Sequence, residues 1–595
     1  MSTKLFLNAA VACFLGITAN SFAQSTPAAP QKEDVGRIGI NSISPRATLD
    51  IEVKTTDETA NQGIIIPNLS KVSIAKITEP VESTLVYISN VDNYTEGQNT
   101  TADALVANVN AKGFYFYDGT TWQPLQKTAP KLDYIISADG TVLMQWLNKY
   151  TQNIDMNQYS DMANVTTISE RLLQNSGGIK TFIIKDGVTK IGNYAFQNTK
   201  DLKVTIPQSV TEIEEHAFEE NKGVTELNLP NLKIAEDGIF QKSNLKSIDL
   251  SQLTTIKKNA FSYTKLLTTA NFPSVTSVGK SAFEDSNLSN ISLPEATLIG
   301  SWAFYNTPLT NISAPKVTTI GERAFGGSKI TDINFPEVTS IGWGAFSGTK
   351  LTTLNLPKAQ IIGGYAFEST NITSINLPEA TSIGESAFSR TKLTTLNLPK
   401  AQIIGGHAFE STNITSINLP EATSIGESAF SRTKLTTLNL PKVTTVNRYA
   451  FENSGLTSIS LPNATSIGWG AFGDTKLTTL NLPKVTTVEE RAFHGLTSLE
   501  TLTLDSIITL TLEAIHVLPN LKKVILGETI KEIQDGNLRQ LNKNAEVYIR
   551  ATTPPSLTET FDINCTFYVP QASLNAYHTH QDWAPHKDKI KGYNY

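Results

Sequence analysis

Cysteine is almost absent from this chain. Its 595 residues carry two, Cys13 and Cys565. Cys13 falls in an N-terminal stretch with the character of an export signal, which leaves one thiol and no internal disulfide. A basic excess is also missing: the formal net charge is -6. That argues against a nucleic-acid partner, because nothing is there to neutralise phosphates. No Lys/Arg block marks a membrane-surface patch. The chain has no nucleophile elbow, metalloprotease helix or phosphate-binding loop. Carboxylates such as Glu385 and Glu427 recur by repetition rather than as a pair facing one substrate. The sequence therefore predicts no enzyme and no cofactor.

Hydrophobic content of 39% and charge of 17% exclude wholesale disorder. Residues 1–23 read as a signal peptide, with Lys4 ahead of a mostly apolar run and Ser21-Phe22-Ala23 at the expected cleavage point. Its removal takes the net charge to -7, and the protein is expected to be secreted or on the cell surface. Residues 24–34 form a Pro/Ala/Gln linker. Residues 35–130 form a β-rich head domain. It shows strand-like runs at Gly63-Ile64-Ile65-Ile66 and Gly113-Phe114-Tyr115-Phe116-Tyr117, with an Asp118-Gly119 turn leading to Trp122. Residues 131–164 make an opening cap, with a hairpin turn at Asp139-Gly140 and Trp146 and Leu147 as its anchors.

From there Ala-Phe returns every 21 or 22 residues, at Phe196, Phe218, Phe240 (after Ile239), Phe261, Phe283 and Phe304, then every 21 residues to Phe493. Such a period defines a solenoid, in which each coil covers its neighbour's apolar face. About 18 coils of 21–23 residues fill residues 165–550, with irregular coils at the ends, and a C-terminal cap follows at 551–595. In the unit Leu351-Thr352-Thr353-Leu354-Asn355-Leu356-Pro357, a short strand turns Leu354 and Leu356 inward until Pro357 ends it. Ile362 points inward next, Gly363 permits a bend, and Ala366-Phe367 fills the wide end. Residues 351–392 and 393–434 are identical over 42 positions except Tyr365 against His407. This two-coil duplication implies that the length of the stack can vary without loss of folding.

The pattern L-x-x-L-x-L-P followed by I-G-x-x-A-F, as in Leu435 to Pro441 and Ile425 to Phe430, resembles the leucine-rich repeats of BspA-like bacterial surface proteins. The resemblance covers roughly two thirds of the chain. It implies a right-handed leucine-rich-repeat stack and a secreted or surface-displayed adhesin. The tail is similar to that family's closing segment, at Thr553-Pro554-Pro555, Cys565 to Pro570, Leu574, Tyr577 and Trp583. The N-terminal unit resembles a head domain of secreted proteins of Gram-negative bacteria, through Gly36 to Ile40, Pro45, Thr48 to Ile51 and the ending Tyr117 to Trp122. A similar opening occurs in tail-fibre-like proteins, where it accompanies trimer formation. That oligomeric state is not carried over on these residues. No sortase-type motif is visible, so the route of anchoring to the outer surface stays open.

Two surface tracks remain as binding candidates for an extracellular protein or glycan. One is the outward side of the strand, with Thr353, Ser374, Thr395 and Ser416 beside a file of Asn355, Asn376, Asn397 and Asn418. Such polar ladders also stabilise a sheet. The other is the variable position just before Ala-Phe. It holds Tyr194, His216, Trp302, Arg323, Tyr365, His407, Tyr449 and Arg491, with Trp343 and Trp469 one residue earlier. Trp, Tyr and Arg are enriched at binding hot spots, and here they vary on a fixed scaffold. The competing reading packs these rings across the bend onto neighbouring coils. Two further patterns are discounted. Gly468 to Gly473 matches GxGxxG without a βαβ unit around it, and His578, His580 and His586 match no zinc spacing.

Overall fold

The computed structural model of the protein describes residues 68–594, apart from 78–79, 81–84, 93–99, 111, 126–132, 149, 538–540, 542 and 559–564. Residues 1–34, expected to hold an export signal and a linker, the Gly63 to Ile66 run and the Gly36 to Ile51 motifs lie outside the described residues. The chain divides into two compact units, Met1–Lys131 and Leu132–Tyr595.

In the first unit a four-stranded sheet runs in the order Asn68–Ser70, Leu85–Asn90, Gly113–Tyr117, Trp122–Pro124. The first pair is parallel and the others are antiparallel. Alternation sorts the side chains by face. Val86, Ile88, Tyr115, Tyr117 and Trp122 are buried with Ile74, Val106 and Val109. The tight connection at Asp118 and Gly119 is tied by its own side chain: Asp118 Oδ1 accepts from the amides of Thr120 and Thr121, each at 2.8 Å. These bonds hold the Asp118 carboxyl well below the usual carboxylate range.

In the second unit every coil contributes two short strands to two parallel ladders. The two-residue strands, such as Ile361–Ile362, join into one 13-stranded sheet between Ile234–Ala235 and Thr487–Val488. The three-residue strands, such as Thr353–Asn355, pair in groups of two or three from Glu226–Asn228 to Ser458–Ser460, and Thr479–Asn481 opens a six-stranded sheet that runs into the C-terminal end. In the unit described above, Leu351, Leu356, Ile362, Ala366 and Phe367 are buried, while Leu354 at the middle of its strand is half-buried. Phe196 to Phe493 form a column of rings with no exposure at all, neighbouring centroids lying 5.1 to 6.5 Å apart. Behind the rings from Phe196 to Phe472 a short polar residue closes the turn: in the coil of Phe367 the buried Thr370 hydroxyl donates to Phe367 O at 2.8 Å. The glycine before the bend is there for approach between coils, since a Cβ on Gly363 would lie 2.6 Å from the carbonyl carbon of Gly342. Its φ is not in the left-handed region. The bend itself is made two residues later.

Parallel pairing continues past both ends of the regular repeat, so the stack runs longer than the 18 coils counted from the motif. At the front, Tyr134–Ile136 and Val142–Trp146 form a hairpin, and Val142–Trp146 pairs in parallel with Thr167–Ile168. Trp146 is buried against Tyr134, Tyr159 and Phe182. Leu147 is not an anchor. It follows the last paired residue, its amide is spent on Asp133 O at 2.7 Å, and its side chain is exposed. At the far end Ile590–Tyr593 adds in parallel to Thr566–Pro570. Trp583 Nε1 donates to Pro555 O at 2.7 Å and the Tyr577 hydroxyl to Ala551 O at 2.9 Å, both fully buried. Burial also pushes the Cys565 thiol up to about 12, which leaves it protonated and unreactive.

Truncating one ring of the column removes contacts to two coils at once. Phe388→Ala is expected to destabilise the chain by about 3–5 kcal/mol, read as a lower midpoint of chemical unfolding. A loss below about 1 kcal/mol would mean that neighbouring coils collapse into the space.

Candidate interaction surface on the side of the stack

The variable position before Ala-Phe has a left-handed backbone in coil after coil. The φ values are 61° at Trp302, 49° at Arg323, 56° at Tyr365 and His407, 53° at Tyr449 and 55° at Arg491. Where the aromatic residue stands one place earlier, at Trp343 and Trp469, the left-handed residue is Gly344 or Gly470. A second left-handed residue follows four positions on, as at Ser369. This conformation aims alternate amides of the bend along the stack. Tyr365 N, Phe367 N and Ser369 N donate to Glu385 O, Ala387 O and Ser389 O of the following coil at 2.6, 2.8 and 3.0 Å. The bend is thus hydrogen-bonded from coil to coil, as the strands are. A bulky side chain in this region costs on the order of 1 kcal/mol relative to glycine. Gly468 to Gly473 falls on the same bend: a Cβ on Gly468 would meet Arg448 N at 2.6 Å, and Gly470 is left-handed. Its glycines serve the coil.

The column gathers the candidate side chains into separate groups. The largest spans four consecutive coils. Arg323 lies between two indoles, its guanidinium carbon 4.8 Å from the Trp302 ring centre and 4.5 Å from that of Trp343. Trp343 in turn meets Tyr365, with centroids 5.0 Å apart, and the Tyr365 hydroxyl donates to Glu385 Oε1 at 2.8 Å. That carboxylate holds the Tyr365 phenol above its ordinary value. Trp343 has room because its neighbour is glycine: a Cβ on Gly364 would touch Trp343 Cδ1 at 3.1 Å. A second group pairs Tyr449 with Trp469 at 4.7 Å. A third stacks Tyr194 flat on His216 at 5.1 Å beneath Arg171. Arg491 and His407 stand apart: Arg491 Nε pairs with Glu513 at 2.6 Å, and His407 Nδ1 meets Glu410 of its own coil at 2.8 Å. Ser386 and Ser428 occupy the column on either side of His407.

These rings meet neighbours along the stack, Tyr194 and His216 flat on one another and the Trp343–Tyr365 and Tyr449–Trp469 pairs tilted by 47° and 60°. Trp343 is the most open, at 40% exposure. Arg323 differs from its counterparts. Arg171, Arg390, Arg432, Arg448, Arg491 and Arg550 each meet a carboxylate. Among the described arginines Arg323 alone has no ion pair.

The polar track on the strand side is partly knit together. Asn311, Asn355 and Asn418 donate to the amide oxygens of Asn290, Asn334 and Asn397 at 3.1, 3.2 and 3.5 Å. Ile375, Leu396 and Ile417 with Asn376, Asn397 and Asn418 line a shallow depression of about 470 Å³ there. One ladder was not anticipated. From Pro294 to Pro441 the residue after each coil's proline alternates in sign, and Lys316, Lys358, Lys400 and Lys442 reach back one coil to Glu295, Glu337, Glu379 and Glu421 at 2.6 to 2.7 Å. A period of two coils in the sequence was its only signal. Among the described residues no group of three metal-binding side chains occurs. In the C-terminal cap His578 Nε2 lies 3.3 Å from Ile590 O, and His580 Nδ1 3.9 Å from Asp582. No helix among the described residues is long and apolar enough to cross a membrane.

Stacked coils of two parallel strands, repeating L-x-x-L-x-L-P and I-G-x-x-A-F, make this unit a leucine-rich-repeat solenoid. The BspA type leucine rich repeat region matches it in six overlapping copies from residue 148 to residue 561. The chain belongs to the BspA-type leucine-rich-repeat family. Residues 37–139 match a phage tail like trimerisation region. Among solved structures, a leucine-rich repeat protein from Bacteroides ovatus is 17% identical, covering 77% of this chain and 97% of that one with a TM-score of 0.37. A leucine rich cell surface protein from Faecalibacterium prausnitzii is 20% identical over 66% of this chain and 92% of that one, with a TM-score of 0.25. The pneumococcal vaccine antigen PcpA is 18% identical over 70% and 91%, also at 0.25. A search of curated proteins finds no match to this chain.

The left-handed column separates two kinds of substitution. Ser428 has φ 52° and its amide donates to Arg448 O at 2.9 Å. Ser428→Val is expected to cost about 1–2 kcal/mol, because a β-branched residue is strained there, while Ser428→Gly stays within about 0.5 kcal/mol of the parent. Equal losses for both in thermal unfolding would contradict the strain.

Proposed function

We propose that this protein is an exported bacterial surface protein that adheres through protein–protein contact along the side of its repeat stack. Family membership supports a binding scaffold rather than an enzyme. The observation that carries the reading is the Trp302, Arg323, Trp343, Tyr365 group, in which a guanidinium without an ion pair lies between two indoles. Residues of these types dominate interface energetics. Arg323 lies close to both indoles of this group, and the mixture of guanidinium and aromatic rings is of the kind that anchors protein partners. Repetition along the stack would let weak contacts add by multivalency.

A second reading is that the head assembles copies of the chain and the repeat serves as a spacer or matrix component. The match of residues 37–139 to a phage tail like trimerisation region favours it. The two readings are compatible.

The test is binding of the full chain to a panel of immobilised extracellular-matrix proteins and glycans, with Arg323→Ala and Trp343→Ala beside it. Saturable binding to a protein, weakened at least about tenfold in each variant, is the expected result. Binding untouched by either change would move the contact to the Thr/Asn side of the strand. Binding to glycans alone would contradict the protein partner, and binding to nothing on the panel would contradict the adhesive reading.

A further inference from the structure

We infer that copies of this chain meet through the outer face of the head sheet, around Phe114 and Phe116. This rests on the reading that the head mediates assembly, and it names the surface that does so.

The strand Gly113–Tyr117 alternates like any other, yet both of its faces are aromatic. Tyr115 and Tyr117 enter the core beside Trp122. Phe114 and Phe116 stand on the opposite face and are 45% and 37% exposed. The register extends that face across three strands. Phe116 lies opposite Leu85 and Phe114 opposite Tyr87, whose rings meet edge to face at 5.0 Å. On the other side Leu125, 37% exposed, donates its amide to Phe114 O at 2.8 Å. A sheet with one face in water normally carries polar residues there. Here the outward positions include Leu85, Tyr87, Phe114, Phe116 and Leu125, with Gln123 opposite Phe116 and Ser89 beyond Tyr87 as polar neighbours. An apolar patch on a small sheet marks an interaction surface.

The occupant is a second and a third copy of the same face. Residues 68–125, which carry the whole patch, fall inside the segment 37–139 matched to a trimerisation region. No charged residue stands among the five, so contact between copies of these positions buries no charge from them. Edge-to-face contact, already made by Tyr87 and Phe114 within one head, is the geometry such rings adopt between heads.

The experiment measures the mass of the full chain by light scattering across a dilution series. It compares the parent with Phe114→Glu/Phe116→Glu and with Leu125→Glu, which lies outside the central strand. The proposal expects the parent at three times the chain mass and both variants at or near one, a threefold drop. Because the three residues are exposed, the variants should keep the parent's circular dichroism. A misfolded double variant leaves Leu125→Glu to decide. A parent that is trimeric with Leu125→Glu and the folded double variant unchanged overturns the face while sparing the assembly reading. A monomeric parent overturns both, whether the face is then bare or covered by residues 1–67. A dimer overturns the threefold arrangement.

Discussion

Everything in the repeat unit depends on one constraint: each coil must lie on the next at the spacing of a hydrogen-bonded strand. Strands satisfy it through two parallel ladders, and the bend satisfies it through amides turned along the stack by left-handed residues. With the spacing set, every position in the coil becomes a column in which like meets like. A phenylalanine column can be fully buried because each ring finds another about 5 Å away. A charge in the same column would meet no partner and would be costly to bury. Outside, the same rule pairs opposite charges one coil apart and lets threonine hydroxyls reach the preceding coil's carbonyl, as Thr339 does to Thr318 O at 3.2 Å.

The left-handed column is where this economy is relaxed. Glycine would suit its backbone best and does appear at Gly238, Gly344 and Gly470, yet most coils place a larger residue there. From Tyr194 to Arg491 its tyrosines, tryptophans, arginines and histidines stand half-buried at the rim of the stack, whereas Ser281, Ser386 and Ser428 are buried. The duplicated coils show the consequence. Tyr365 meets the Trp343 ring and Glu385, whereas His407 has Glu385 and Ser386 rather than a tryptophan in the coil before it, and turns to Glu410. One coil position supports different local chemistry without altering the scaffold beneath. Strain kept at an exposed, variable position is a reason to look there for recognition.

The buried columns were legible in the sequence because burial repeats with the coil, and a period survives any uncertainty about local conformation. The family followed from the same residues. The left-handed backbone was not read, although Gly, Asn and Ser at the variable position carried the signal. Gly363 drew attention as the bend, while its actual duty is close approach to Gly342. Leu147 looked like an anchor beside Trp146, but a residue one step past the paired strand can face water. The candidate binding residues were found as a track, and only three-dimensional spacing divides that track into groups and isolates Arg323 from any carboxylate. The aromatic run in the head was read as a strand. Its two-sidedness, evident once Tyr115 and Tyr117 turn inward, was not.

If stability is a sum of coils and contacts between neighbours, then a unit that preserves every column can be removed without penalty to the rest. Residues 393–434 are such a unit. Their deletion joins Lys392 to Leu435 and puts Lys442 one coil from Glu379, so the core and charge columns both continue. The decisive measurement is thermal unfolding of the chain lacking these 42 residues. The account predicts a folded protein with the parent's midpoint within about 5 °C. An unfolded or aggregated product, or a much larger drop, would show that the fold depends on contacts beyond adjacent coils and would contradict it.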